Sequence, residues 1–303
     1  MTLLYMSTPA RGAVWARIFA AAGEPLLLGE AAATDPAEVT ALACWQPPAD
    51  IARYPNLRAV ISVGAGVDQM PALPPGVALC RTLAPGIETM VRDWVVMAAL
   101  ALQRDLPVYL DQARAGLWAP HAPRAAGRTR VGLMGMGRIG KLAAGTLGLM
   151  GFPVTGWSRS GRPVAGMEMR GADELPAFLA ATDLLICLLP LTAETRGILS
   201  DDLFAALPPG ARLVHAGRGA QLDMAALRRA LDAGRLAAAM LDVTDPEPLP
   251  AGHWAWADPR VIVTPHIAAQ TDDAEGGEHA LAVMRALRSG EPLPGLVDPA
   301  RGY

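Results

Sequence analysis

The chain reads as an α/β protein with two parallel sheets, each covered by helices. Three observations predict this. Apolar runs of four to eight residues alternate with longer stretches of helical period, the pattern of strands buried on both faces. The runs form two series, one in the first third of the chain and one starting near Thr129. A length of 303 residues, 52% hydrophobic, is enough for two such domains.

In the first series the strand candidates are residues 3–6, 42–45, 59–63 and 77–80, separated by proline and glycine clusters. Residues 93–103 contain no Gly or Pro and are apolar nearly all round, which predicts a buried helix linking the two series. The second series places strands at 130–134, 154–157, 184–189, 212–216, 238–243 and 261–264. A last helix is expected over 272–289. The proline-rich tail after it is too short to be a domain and should pack back on the first series.

Composition narrows the function. A net charge of -3 gives no reason to expect nucleic acid. The longest apolar stretches, 94–102 and 184–191, fall short of the roughly 20 residues needed to cross a bilayer, so no membrane association is expected. The opening residues have no charged segment ahead of their apolar ones and read as a strand, not a signal peptide, so cytoplasmic residence is expected. Cys44, Cys80 and Cys187 lie in or beside apolar runs without CxxC spacing and read as reduced core residues, with no metal site implied. The basic residues are 25 Arg and one Lys, Lys141, so a single arginine is weak evidence by itself.

The strand at 130–134 leads into Gly135, Gly137 and Gly140, a GxGxxG, and then into a helical stretch. The first glycine permits the tight turn, the second lets backbone approach a pyrophosphate, and the third lets helix pack on strand. An NAD-selecting fold of this kind usually carries an acid about 20 residues on, at the end of the second strand. Here that place holds Ser158 and Arg159, followed by Ser160 and Arg162, and no acidic residue lies between Lys141 and Met167. A ribose phosphate would be welcome there, so NADP is the expected cofactor, with NAD possible.

Three polar residues follow later strands: Arg218 in HAGRG, Glu247 in DVTDPEPLP and His266 in VIVTPHIAA. Each sits just past an apolar run, so the three should converge at the carboxyl edge of one sheet. A guanidinium can hold a substrate carboxylate and polarise the neighbouring carbonyl. An imidazole beside a carboxylate favours its protonated form, which suits a group that gives a proton to a developing alkoxide. Together they describe a reductase site for a small-molecule 2-oxo acid. His121, His253 and His279 have no such context and read as surface residues.

GLMGMGRIG, LVHAGRGAQLD, MLDVTDPEPLP and VIVTPHIAA, in this order, resemble the signatures of the D-isomer-specific 2-hydroxyacid dehydrogenases. The gaps of 29 residues from Arg218 to Glu247 and 19 from Glu247 to His266 suit that family. The CWQPP segment, the WSRS turn, RGILS and the ending VDPARGY resemble its bacterial glyoxylate/hydroxypyruvate reductase A group. The resemblance implies two doubly wound domains, with a Rossmann cofactor domain over 92–267 inserted into a flavodoxin-like substrate domain made of 1–91 and 268–303. It also implies a homodimer formed largely through the cofactor domains.

Carried over by matching motif, Arg218 is the substrate-binding arginine, Glu247 the carboxylate paired with the histidine and His266 the acid/base. The SVGAGVD turn, with Val63, Gly64, Ala65 and Gly66, matches the loop whose amides receive the substrate carboxylate, and Trp45 is expected to wall the substrate pocket. Cofactor contacts are expected from Gly135, Met136, Gly137, Arg138 and Ile139, from Ser158, Arg159 and Ser160, and from Leu189, Pro190, Ala216, Gly217 and Asp242.

The chain departs from the family where His215 replaces the usual Asn and Gly217 a small side chain, which puts in doubt how position 215 meets the nicotinamide ribose. Trp254 also stands where Pro is common. Two other readings stay open: an NAD-dependent dehydrogenase for a different or bulkier 2-oxo acid, and a non-catalytic dinucleotide-sensing protein.

Overall fold

The computed structural model describes residues 1–298, so the last five residues of VDPARGY lie outside the described residues. In chain order the elements are β1 Thr2–Met6, α1 Pro9–Ala21, β2 Leu26–Leu28, β3 Val39–Cys44, β4 Ala59–Ser62, β5 Ala78–Arg81 and α2 Pro85–Gln103. Next come α3 Leu106–Arg114, β6 Val131–Met134, α4 Arg138–Leu149, β7 Val154–Trp157, β8 Glu168–Arg170, α5 Leu175–Ala180 and β9 Leu184–Cys187. The chain continues with α6 Asp201–Ala206, β10 Ala211–His215, α7 Met224–Asp232, β11 Leu236–Leu241, β12 Val261–Val263 and α8 Asp273–Ser289.

These elements divide into two compact units, Met1–Ile87 with the chain from Gln270 onward, and Glu88–Ala269. The crossings fall at 87/88 and 269/270, against 91/92 and 267/268 read from the sequence.

The first unit holds a five-stranded sheet of order β2-β1-β3-β4-β5, every pair parallel. This is the flavodoxin-like order. Tyr5 of β1 meets Trp15 of α1 with ring centroids 4.9 Å apart. Trp15 and Phe19 share one core with Leu281, Val283 and Met284 of α8. The returning tail joins the same unit: Val297 N–H donates to Leu79 O at 2.8 Å.

The second unit holds a seven-stranded parallel sheet of order β12-β11-β10-β9-β6-β7-β8. Its order reverses between β6 and β9, and in such sheets the ligand crevice lies outside the carboxyl ends at that point. Met134, Phe178, Leu185, Leu213 and Leu241 fill its core.

The structure adds what the apolar runs did not signal. Strands β2 and β8 are three-residue edges; β2 is an apolar Leu-Leu-Leu shorter than the four-residue runs, and β8 is the largely polar Glu-Met-Arg, defined by pairing with a neighbour rather than by hydrophobic pattern. Helix α2 starts eight residues before the expected 93, at Pro85 and Gly86. Proline in a first helical turn is a start, not a break. His279, expected at the surface, is 7% exposed on the inner face of α8, because that helix buries this face against the first unit's core. Among the described residues no helix is long and apolar enough to cross a membrane, and no His, Cys, Asp and Glu group could hold a metal ion. The three cysteines are buried and free, and burial pushes the Cys44 and Cys187 thiols up to about 12 and Cys80 to about 11.

Two of the three glycines of helix α4 have opposite roles. A Cβ on Gly140 would lie 2.0 Å from the Gly135 carbonyl oxygen, whereas one on Gly145 would meet nothing within 4 Å. In urea unfolding, Gly140→Ala is expected to cost about 1–3 kcal/mol through overpacking. Gly145→Ala should stabilise by about 1 kcal/mol through helix propensity.

Candidate active site

The site begins with a buried carboxylate. Asp242 follows β11 and is 2% exposed. Its Oδ1 accepts from Thr264 Oγ1 at 2.6 Å and from Ile267 N–H at 2.9 Å, and its Oδ2 accepts from Ala268 N–H at 2.8 Å. Its backbone carbonyl accepts from His266 N–H at 2.9 Å. Trp94 of α2 extends the network, with Nε1–H donating to Thr264 Oγ1 at 3.2 Å. These bonds wrap the TPHIA turn around one side chain and hold His266 at φ 53. That left-handed conformation costs a non-glycine residue about 1–3 kcal/mol and persists where surroundings over-determine it.

His266 Nδ1–H donates to Glu247 Oε2 at 2.9 Å. The second carboxylate oxygen of Glu247 accepts from Thr244 N–H at 3.1 Å. With Nδ1 bound to a carboxylate, Nε2 is the ring atom directed to proton exchange. Both side chains reach the surface of the unit, at 45% and 40% exposure, so this is not a buried ion pair.

Arg218 follows β10, and its Nη1–H donates to Gly217 O at 2.8 Å. Gly219 explains the Arg-Gly sequence. A Cβ there would lie 1.9 Å from the Thr244 carbonyl oxygen, so only glycine lets the Arg218 loop touch the backbone of the loop that carries Glu247. The three functional side chains thus stand after β10, β11 and β12, which are neighbours in the sheet.

His215 ends β10 and is wholly buried. Its Nε2–H donates to Arg218 O at 2.9 Å, so the ring is tied to the loop that carries the arginine. Desolvation, the largest cause, pushes its pKa down to about 4.

The cofactor turn follows the glycine logic in part. Gly135 has φ 104 and a Cβ there would lie 2.6 Å from Leu188 backbone, so both the turn and the packing demand glycine. Gly137 caps α4 and has open space where a Cβ would stand. Open space over a helix amino terminus fits a pyrophosphate. Ser158 is half-buried after β7, while Arg159 and Ser160 are exposed. Three residues expected at the cofactor have partners within the protein. The Asp242 carboxylate is taken up by the His266 turn, and the Leu189 and Pro190 carbonyls accept from Gln221 at 3.1 and 2.9 Å.

In the first unit, Trp45 is 52% exposed and lies over Gly64, where a Cβ would be 3.2 Å from its ring. Val63 N–H donates to Cys44 O at 3.1 Å and Gly64 N–H to Ser62 Oγ at 3.3 Å, so these two amides have partners. Val63 continues the β3–β4 ladder. Ser62, Gln69 and Thr82, which the motif did not single out, brace this loop through Gly66 O, Trp45 O and Ser62 O.

The family model for the D-isomer specific 2-hydroxyacid dehydrogenase NAD binding domain matches residues 96–268. The chain belongs to this family. It is 38% identical over 280 residues to glyoxylate/hydroxypyruvate reductase A of Yersinia enterocolitica, covering 89% of each chain. Among solved structures, a D-isomer specific 2-hydroxyacid dehydrogenase from Xanthobacter autotrophicus, in complex with NADPH and MES, has a TM-score of 0.93 at 37% identity, covering 100% of this chain and 99% of that one. The NADPH-dependent glyoxylate/hydroxypyruvate reductase of Sinorhizobium meliloti, with NADP and sulfate, has a TM-score of 0.91 at 35% identity over the same shares.

Two outcomes follow for this dehydrogenase. Asp242→Asn keeps one acceptor oxygen and turns amide donors toward a loop N–H, so thermal unfolding should show a loss of about 2–4 kcal/mol, with turnover reduced as His266 leaves its place. For His215, the folded value of about 4 lies below the unfolded value. Its contribution is therefore present above about pH 6.5 and is lost as pH falls toward 4, up to about 3 kcal/mol in all. Urea midpoints measured across that window should fall less steeply in His215→Asn.

Proposed function

We propose that this dehydrogenase reduces small 2-oxo acids, glyoxylate and hydroxypyruvate, to the 2-hydroxy acids with NADPH. The observation that carries the chemistry is the 2.9 Å bond from His266 Nδ1–H to Glu247, with Arg218, Glu247 and His266 following the successive strands β10, β11 and β12 of one sheet. NADPH supplies the hydride for the carbonyl carbon when bound. The Arg218 guanidinium holds the substrate carboxylate and provides fixed positive charge where negative charge grows on the carbonyl oxygen. His266 Nε2 gives its proton to that oxygen, and Glu247 orients the ring and balances its charge. In the first unit, Trp45 and the Val63–Gly66 loop are proposed as substrate contacts, with Ala65 and Gly66 as the amide donors.

The preference for NADPH is supported by residues after β7. No acid is there to bind ribose hydroxyls, and Ser158, Arg159 and Ser160 offer donors to a phosphate. The names of the relatives in the enteric bacteria and in Sinorhizobium support the substrate pair.

We also propose a cytoplasmic homodimer formed through the second unit. Leu106 and Leu110 of α3 are each 41% exposed, and Leu117 and Trp118 just after it are 57% and 95% exposed. Such a patch is the kind that a partner covers. Sedimentation should then give twice the 31.7 kDa chain mass.

Initial rates at 340 nm with glyoxylate and hydroxypyruvate test the reaction. NADPH should exceed NADH in kcat/KM, and Arg159→Ala should erase about tenfold or more of that preference. His266→Ala should lower kcat by roughly 10²–10⁴ with little change in NADPH affinity. Activity with NADH alone would overturn the phosphate-pocket reading, and unchanged turnover in His266→Ala would overturn the proton donor.

A further inference from the structure

Resting on the reading of Arg218 as the substrate-binding arginine, we propose that Gln221 and His215 are positioning residues that lock the Arg218 backbone, and that residue 217 is glycine to make room for them.

Gln221 is wholly buried three residues after Arg218. Its Oε1 accepts from Arg218 N–H at 2.8 Å, and its amide nitrogen donates to Leu189 O at 3.1 Å and Pro190 O at 2.9 Å. One side chain therefore joins the segment after β9 to the residue that carries the guanidinium. On the other side of the same residue, the Arg218 carbonyl accepts from His215 Nε2–H at 2.9 Å and from Gln221 N–H at 3.0 Å. Both polar groups of the Arg218 backbone are thus held from within the loop. The guanidinium sits at the end of a long lever. A backbone tilt of about 10° displaces a group roughly 6 Å away by about 1 Å, and a misplacement of about 1 Å can cost roughly 100-fold in rate.

Gly217 belongs to the same arrangement. A Cβ there would lie 2.2 Å from Gln221 Oε1, 3.0 Å from Leu189 O and 3.3 Å from His215 Cε1. The small side chain that the resemblance leads one to expect and Gln221 in its present place exclude each other. The two departures from the family pattern, at 215 and 217, therefore belong to one device with Gln221 as its third member. It acts on substrate through Arg218.

The test is a set of double-mutant cycles on the full-length enzyme, reading kcat/KM for glyoxylate, NADPH affinity by fluorescence, and melting temperature. Gly217→Ala is expected to lower kcat/KM by roughly 10–100-fold, a loss much larger than any change in NADPH affinity. In a Gln221→Ala background the same change should add much less, because the closest atom it collides with is gone and only the 3.0 Å approach to Leu189 O and the 3.3 Å approach to His215 remain. In an Arg218→Ala background neither change should lower the residual rate further. Full activity in Gly217→Ala, additive losses with Gln221→Ala, further loss in the Arg218→Ala background, or a loss of NADPH affinity as large as the loss in kcat/KM would overturn the inference. If Gln221→Ala does not fold, Gly217→Ala alone and combined with Arg218→Ala decides. Retained activity in Arg218→Ala would instead overturn the arginine reading, and this inference with it.

Discussion

A carboxylate sealed from water organises the reacting end of this enzyme. Burying the Asp242 charge is expensive unless donors surround it, and the turn after β12 supplies a hydroxyl and two amides. The turn cannot relax into a common conformation without withdrawing those donors, so His266 stays in the left-handed region. Neighbouring parallel strands make this possible, because β11 and β12 end side by side and their following residues can face each other. The position of the imidazole is therefore a property of the sheet, transmitted through one side chain.

Close approach between loops does the rest. Gly219 lets the Arg218 loop rest on the backbone at Thr244, and the Thr244 N–H holds the carboxylate that orients His266. Arginine, glutamate and histidine are thus referred to one another by contacts of backbone with backbone. Long side chains are poor rulers, and here their roots are fixed before their tips are used. The orientation of Glu247 needs no buried ion pair, which suits a residue that must face a changing charge.

Much of this was legible in the sequence because buried parallel strands leave long apolar runs, and because motifs at the strand ends carry chemistry at fixed spacing. Both sheets, the glycine turn and the Arg218, Glu247 and His266 set follow from such signals. What stayed hidden depends on three-dimensional neighbours. The edge strand β8 carries no apolar run and shows itself only through pairing, β2 is a run of only three leucines, and the first turn of α2 was concealed by Pro85 and Gly86. The motif put Asp242 with the cofactor, but its three donors come from residues more than twenty positions away. Gln221 stands inside the LVHAGRGAQLD motif but drew no role there, and its only trace was a glycine at 217 where a Cβ would be usual. The buried His279 shows that an amphipathic helix can turn a polar residue inward when its backbone surroundings offer an acceptor, here a bond with the Arg81 backbone.

Lys141, the only lysine in the chain, stands exposed in the first turn of α4, beside the glycine turn. The arginines that cover the remaining surface are inert to acylating reagents at neutral pH. An amine-directed fluorophore, crosslinker or resin therefore has two targets on this molecule, the chain's amino terminus and the mouth of the dinucleotide turn. A reporter attached through ordinary lysine chemistry would sit one residue past Gly140, beside the glycine turn, without any engineered residue.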